Sequence, residues 1–346
     1  MRLGRSASAT DPGRKRRQNE DSFVARPPIF AIADGMGGAR AGEIASELAA
    51  GALKAATASG GGPELIAQLV QEANRRVHER ASSDPSTSGM GTTMTVALVE
   101  PSGELTFGHV GDSRAYMLRD GRLEQLTDDH SLVAELVRRG ELSERDAEVH
   151  PQRSVITRAL GTDPDVDVDT FTWQPEDGDL YLLCSDGLSD MISGDEIEEI
   201  LRKNRDDLDT AARALVKAAN RGGGDDNITA VLFEMVEGEG APPEADEQTR
   251  EFALPSTDDA DTLHPEGAGA VPVVEAPAPA PAANDTMVVP IADIQAAMEE
   301  ERRPNGLEPP QAGTHEAGVG KRLLALLVIA ILVAIIVVLV WQGLAR

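Results

Sequence analysis

A single cysteine, Cys184, stands among 346 residues, which excludes an intramolecular disulfide framework. It lies inside an apolar run, where a buried core thiol is expected rather than a nucleophile. Basic residues are also in deficit. Against 59 Asp and Glu there are 32 Lys and Arg, a formal charge of −27. Such a surface repels nucleic acid, and at long range any phosphate, so a phosphate site would have to be locally positive. No apolar stretch follows Met1, so no secretory signal is expected.

The deficits are distributed unevenly. Residues 1–237 mix apolar, charged and glycine residues as a globular domain does, and that length can bury a sizeable core. Residues 238–320 hold 12 of the 21 prolines, many acids, and no Trp, Tyr or Cys. They are expected to form a disordered acidic linker, with a transient helix conceivable over 291–303. Thr249, Thr262 and Thr286 stand there beside polar or acidic neighbours; simple solvation and phosphorylated docking are both open for them. Residues 321–341 read as one transmembrane helix. Its uninterrupted apolar run, 323–341, spans about 28 Å at 1.5 Å per residue, close to the ~30 Å bilayer core. Lys321-Arg322 before it favours a cytosolic catalytic domain, opposed weakly by Arg346 in the short tail 342–346. The expected localisation is the cell membrane, single-pass.

Within the first domain, strand and helix signals alternate. Strands are predicted over 22–25, 29–33, 92–100, 105–110, 114–119, 122–126, 171–173, 179–184 and 228–236, with turns at Pro101-Ser102-Gly103 and Asp120-Gly121. Helices are predicted over 41–56, 64–82, 195–203 and 209–220. A charged insertion over about 130–160, with helices from Ser131 and Ser143, reads as a flap beside the site. This order makes an α+β sandwich the expected class.

Five acidic motifs recur along the domain: Asn19-Glu20-Asp21, Asp34-Gly35-Met36-Gly37-Gly38, Gly111-Asp112-Ser113-Arg114, Ser185-Asp186-Gly187-Leu188 and Asp225-Asp226-Asn227. Most fall at the end of an expected strand. Carboxylates gathered at strand ends repel one another unless a cation neutralises them, and an all-oxygen donor set suits Mg²⁺ or Mn²⁺ far better than zinc. The basic run Arg14-Lys15-Arg16-Arg17 offers the one locally positive spot close to these motifs. A solvated surface is the expectation for Arg14, Lys15 and Arg17.

With Asp11-x-Gly13-x-x-Arg16 in front, and with Gly91-Thr92-Thr93 and Asp129-His130-Ser131 in register between them, these motifs resemble the metal-dependent serine/threonine phosphatases of the PPM (protein phosphatase 2C-like) family in its bacterial form. The resemblance covers residues 8–236. It implies an α-β-β-α sandwich of two antiparallel sheets flanked by helix pairs. It also implies two Mn²⁺ or Mg²⁺ ions, with Asp34 bridging them, the Gly35 carbonyl and Glu20 (through water) serving one, and Asp186 and Asp226 the other. Asp112 resembles the ligand of a third, weaker ion, shared with Asp186. Arg16 resembles the phosphate-binding residue, whose guanidinium fork matches a phosphoryl group. Asp21 and Asp225 are read as neighbours of ligands.

Two cations a few ångströms apart would lower the pKa of a bridging water enough for it to attack phosphorus. Where animal members carry a histidine after the metal-binding Asp-Gly, this chain has Met36, which cannot donate a proton. The general acid is therefore unassigned, with a metal-bound water as the preferred candidate, and His109 and His130 are expected to be structural. The implied function is dephosphorylation of phosphoserine and phosphothreonine on cytosolic proteins, with the lipid bilayer and serine/threonine kinases as partners. The rival reading, a non-catalytic adaptor, would be expected to have lost some of these carboxylates.

Overall fold

The computed structural model describes residues 1–37, 41–54, 61–238 and 287–288. The chain divides into two compact units, Met1–Ile294 and Gln295–Arg346, and all described residues belong to the first. The expected membrane span and most of the expected linker, including 291–303, lie outside the described residues. Among the described residues, no helix is long and apolar enough to cross a membrane.

Two antiparallel sheets form the centre. The first holds β1 (Arg2–Asp11), β12 (Ile228–Val236), β11 (Asp179–Cys184), β7 (Arg114–Arg119) and β8 (Arg122–Gln125), in that spatial order. The second holds β10 (Asp169–Trp173), β6 (Leu105–Val110), β5 (Met94–Val99), β3 (Ile29–Met36) and β2 (Asp21–Arg26), with β4 (Gly91–Thr92) paired to the end of β3. Two helices, α1 (Ala41–Lys54) and α2 (Gly62–Ser83), pack on the second sheet. On the first lie α5 (Asp186–Ser189), α6 (Gly194–Lys203) and α7 (Leu208–Gly222). Two short helices, α3 (Leu132–Arg138) and α4 (Glu144–Glu148), with the two-residue strand β9 (Val155–Ile156), make up the flap.

The layering follows from period-two patterning of strands that are apolar on both faces. Along β11, Leu180, Leu182 and Cys184 face α5–α7, while Tyr181 and Leu183 face the opposite sheet. Along β3, Ile29, Ala31 and Ala33 face α1 and α2, while Phe30 and Ile32 point between the sheets. The alanines of α1 (Ala41, Ala45, Ala49, Ala50, Ala52) are all buried, so small side chains let this helix approach the sheet closely. Helix starts are capped as their side chains dictate: Ser131, Ser193 and Asp207 accept from the backbone N–H three residues on.

The few aromatics are concentrated where the two sheets meet. Phe233 is fully buried, stacked on Phe30 at 4.4 Å and on Tyr181 at 5.1 Å between ring centroids, and Phe107 stacks on Phe171 at 5.1 Å. Offset stacking of this kind adds to area burial. Phe233→Ala is expected to cost about 3–5 kcal/mol of unfolding free energy, read as a lower urea midpoint at unchanged slope; a loss under 1 kcal/mol would show that this contact does not join the sheets.

Candidate active site

Register brings the acidic motifs to one end of the sandwich. Asp34 sits near the end of β3 opposite Asp21 at the start of β2. Asp112 occupies the turn between β6 and β7, Asp186 begins α5 one residue past the end of β11, and Asp226 precedes β12. The pairing of Cys184 with both Arg114 and Ala230 holds the last three of these strand ends level.

Hydrogen bonds fix the backbone that carries these carboxylates. The Asp34 N–H donates to Thr93 Oγ1 (3.0 Å), and its carbonyl accepts from Thr92 Oγ1 (2.8 Å) and the Thr93 N–H (2.9 Å). Gly91-Thr92-Thr93 is therefore a cradle for Asp34, a role its residue types alone did not disclose. Asn227 acts as a clasp: its Oδ1 accepts from the Glu20 N–H at 2.7 Å, and its Nδ2 donates to the carbonyls of Pro12 (3.0 Å) and Gln18 (2.9 Å). The loop bearing Arg16 is thereby tied to the segment that leads into β12 and bears Asp226, and Arg16 meets Asp226 directly at 2.7 Å. Gly13, at φ +78, lies so close to the Asp226 carbonyl that a Cβ would collide with it. Lys15 is not simply solvated: it pairs with Asp225 at 2.8 Å.

The carboxylates repel one another through a low-dielectric interior. Asp34 and Asp186 keep some surface open to solvent yet lie deep in the fold. Both are pushed well above the usual carboxylate range, first by desolvation and then by their acidic neighbours, Asp21 leading for Asp34 and Asp112 for Asp186. Burial pushes Asp21 up to about 7, although its Oδ2 accepts from Ser185 Oγ (2.8 Å) and Thr229 Oγ1 (2.6 Å). Burial, then Asp129 and Asp190, push Asp112 up to about 7. The Oδ1 atoms of Asp21, Asp112 and Asp186 are buried without a hydrogen-bond donor. Orphaned, crowded carboxylate oxygens of this kind fit hard divalent cations. Among the described residues no three such side chains converge on one ion by themselves, so any cation held here would take much of its coordination from water, as Mg²⁺ and Mn²⁺ prefer.

Asp190 is the acidic residue that motif reading missed. It sits one turn after Asp186, its N–H donating to the Asp186 carbonyl at 2.8 Å. Burial raises its carboxyl too. The i, i+4 spacing was the available signal. An open cavity of about 720 Å³ runs from Asp112, Asp186 and Asp190 to Val133, Val137 and Arg138 of the flap. Arg114 braces its wall through a fork onto Asp129, 2.7 Å at the shortest contact.

The histidines are held in place. Buried His109 contacts Thr95 Oγ1 (2.9 Å) and the Asp128 carbonyl (3.1 Å), and burial lowers its pKa to about 3. His130 Nδ1 accepts from the Gly111 N–H at 3.0 Å, and desolvation, then Arg158, lower its pKa. Cys184 is buried and its thiol is pushed up to about 12 by desolvation, so a thiolate nucleophile is excluded. Met36 is buried beside Ile156 and Ala159.

The protein phosphatase 2C family model matches residues 14–232, and the chain belongs to that family. The serine/threonine phosphatase stp of Listeria monocytogenes is 43% identical over 237 residues, covering 65% of this chain and 93% of its own length. The serine/threonine protein phosphatase PstP of Mycobacterium tuberculosis is 42% identical over 236 residues, 67% of this chain but 45% of PstP. The crystal structure of PstP/Ppp from that organism superposes with a TM-score of 0.64 at 39% identity, covering 68% of this chain and 100% of the solved one. A structure of the PstP catalytic domain in complex with two manganese ions gives 0.63 at 37% identity, covering 68% and 100%. The chain is a protein serine/threonine phosphatase.

The raised carboxylates give a pH signature. A carboxyl whose folded pKa exceeds its unfolded value holds its proton longer when folded, so its contribution to stability falls as pH rises from about 4 toward about 7. Cation binding requires the deprotonated form. The Tm gain from Mn²⁺ over chelator is therefore expected to be larger at pH 7.5 than at pH 5; equal gains would remove the cluster from cation binding.

Proposed function

We propose that the enzyme hydrolyses phosphoserine and phosphothreonine on cytosolic proteins at a pair of Mn²⁺ or Mg²⁺ ions. The observation that carries this is the crowding of Asp34, Asp112, Asp186 and Asp226 at one end of the sandwich, with Arg16 at the edge of the cluster. Asp34, the Gly35 carbonyl and Glu20 would hold one ion, Asp186 and Asp226 the other, and Asp112 with Asp186 a third, weaker one. Such ions would supply an acidified water and offset the charge that develops on phosphorus. The related PstP catalytic domain, whose structure is in complex with two manganese ions, supports the choice of metal.

The chain's own groups do the rest. Arg16, paired with Asp226 in the structure, can exchange that carboxylate for phosphate oxygens and hold them in its planar fork. The new O–P bond forms from water as the bond to the seryl or threonyl oxygen breaks, and that oxygen leaves with a proton. Met36 cannot supply the proton, and His109 and His130, both lowered by burial, are engaged with the Asp128 carbonyl and the Gly111 N–H. Water at the carboxylate cluster is the preferred donor of that proton.

Mn²⁺-dependent phosphate release from a phosphothreonine peptide tests this reading. Asp34→Ala is expected to lower kcat by at least ~10³, the order of loss when a key electrostatic group is removed, while Arg16→Ala is expected to raise KM as well as lower kcat. Wild-type turnover that ignores Mn²⁺ would sink it.

The enzyme is further proposed to be anchored in the cell membrane by residues 321–341, domain inside, and to oppose serine/threonine kinases there. Support comes from the 19-residue apolar run 323–341 and the Lys321-Arg322 pair before it. A membrane anchor raises local concentration toward membrane-bound substrates. The full chain is expected in the membrane pellet after carbonate washing and a chain ending at 320 in the supernatant; identical partitioning would refute the anchor.

A further inference from the structure

The flap carries a strand edge that something else in this chain already uses. Its strand β9 is two residues long, and Ile156 bridges antiparallel to Ser131, the cap of α3. The other partner of β9 comes from far along the chain: β13 (Met287–Val288) runs parallel to it, Met287 opposite Val155 and Val288 opposite Ile156. The 48 residues between Gly238 and Met287 span up to about 160 Å when extended, so reach does not restrict this pairing.

We propose that residues 287–288 dock in cis on the flap by strand addition, so that the segment joining the catalytic domain to the C-terminal apolar run is a ligand of the flap as well as a spacer. Strand addition takes affinity from main-chain hydrogen bonds and selectivity from alternate side chains. The local sequence suits it. Thr286-Met287-Val288-Val289-Pro290-Ile291 is uncharged and rich in β-branched residues, and Pro290 limits further pairing on that side. Between residues 238 and 320 a second valine pair, Val273-Val274, is flanked by Pro272 and Glu275 instead. The docking point also bears on the site. The Ile156 side chain is 1% exposed and clusters with Met36 and Ala159, and Met36 lies two residues beyond Asp34 in β3. The Thr157 N–H donates to the His130 carbonyl at 2.8 Å. Ile156 thereby puts β9 in direct contact with the strand that carries Asp34.

Cysteine cross-linking in the full-length chain, in detergent, tests this without reference to activity. The native Cys184 is buried and contributes little background. Partners directly opposite in a strand pair lie within disulfide reach. Under mild oxidation Val155→Cys/Met287→Cys is expected to close an intramolecular disulfide roughly tenfold or more faster than Val155→Cys/Val274→Cys, because pairing raises the effective concentration. Equal rates, or a rate that scales with protein concentration, would overturn the proposal. Hydrogen exchange gives an independent reading should cysteine at 155 impair folding: Met287→Pro/Val288→Pro is expected to speed exchange in 152–158 while leaving β11 and β12 protected. Unchanged exchange in 152–158 would equally overturn it.

Discussion

Like charges forced together at one end of a β-sandwich are the constraint on which the rest of this structure depends. Asp34, Asp112 and Asp186 are each raised first by desolvation and then by acidic neighbours, so the site is a place of unfavourable electrostatics held by favourable packing elsewhere. The two sheets supply that packing. Their aromatic inner faces and the helices outside them leave the strands little freedom to spread and relieve the repulsion. What stays soft is the protonation state and the ionic partner, and those are the two variables a metal-dependent hydrolase uses.

The polar frame around the cluster explains why neutral motifs travel with the acidic ones. Thr92 and Thr93 bond the Asp34 backbone, Ser113 joins Thr93 at 2.8 Å, and Ser185 and Thr229 hold Asp21. Each hydroxyl fixes a main chain or a carboxylate that repulsion would otherwise displace. The strongly acidic chain also keeps a small basic spot beside the cluster. Arg16 and Lys15 are balanced there by Asp226 and Asp225, which directly follow the turn at Gly224.

Most of the sandwich was legible because its strands are apolar on both faces and end in glycine or acidic turns. The first strand was not. Arg2–Asp11 has only Leu3 and Ala7 buried among small and polar residues, and it is a strand because β12 supplies a partner along its length. The two-residue β9 and the single-turn α5 are too short to leave a periodic trace. In the site, the carboxylates announced themselves by residue type and turn context. The threonine cradle and the Asn227 clasp act through backbone contacts between residues far apart in sequence, and no local pattern encodes those. Asp190 lies one turn past Asp186, outside any of the acidic motifs, and a single acid on a helix carries no turn or strand-end signal of its own.

The Asn227 clasp has a bearing on when the molecule becomes competent. Its three bonds gather Pro12, Gln18 and Glu20 onto the residue that leads into β12, and β12 pairs with β1 across more than 200 residues. During synthesis, at about 5–20 residues per second, a growing chain spends tens of seconds with its arginine-bearing loop made and its closing strand still to come. Partial products therefore carry the acidic motifs without the arrangement that gives them meaning. Competence arrives late, when the two ends of the domain meet.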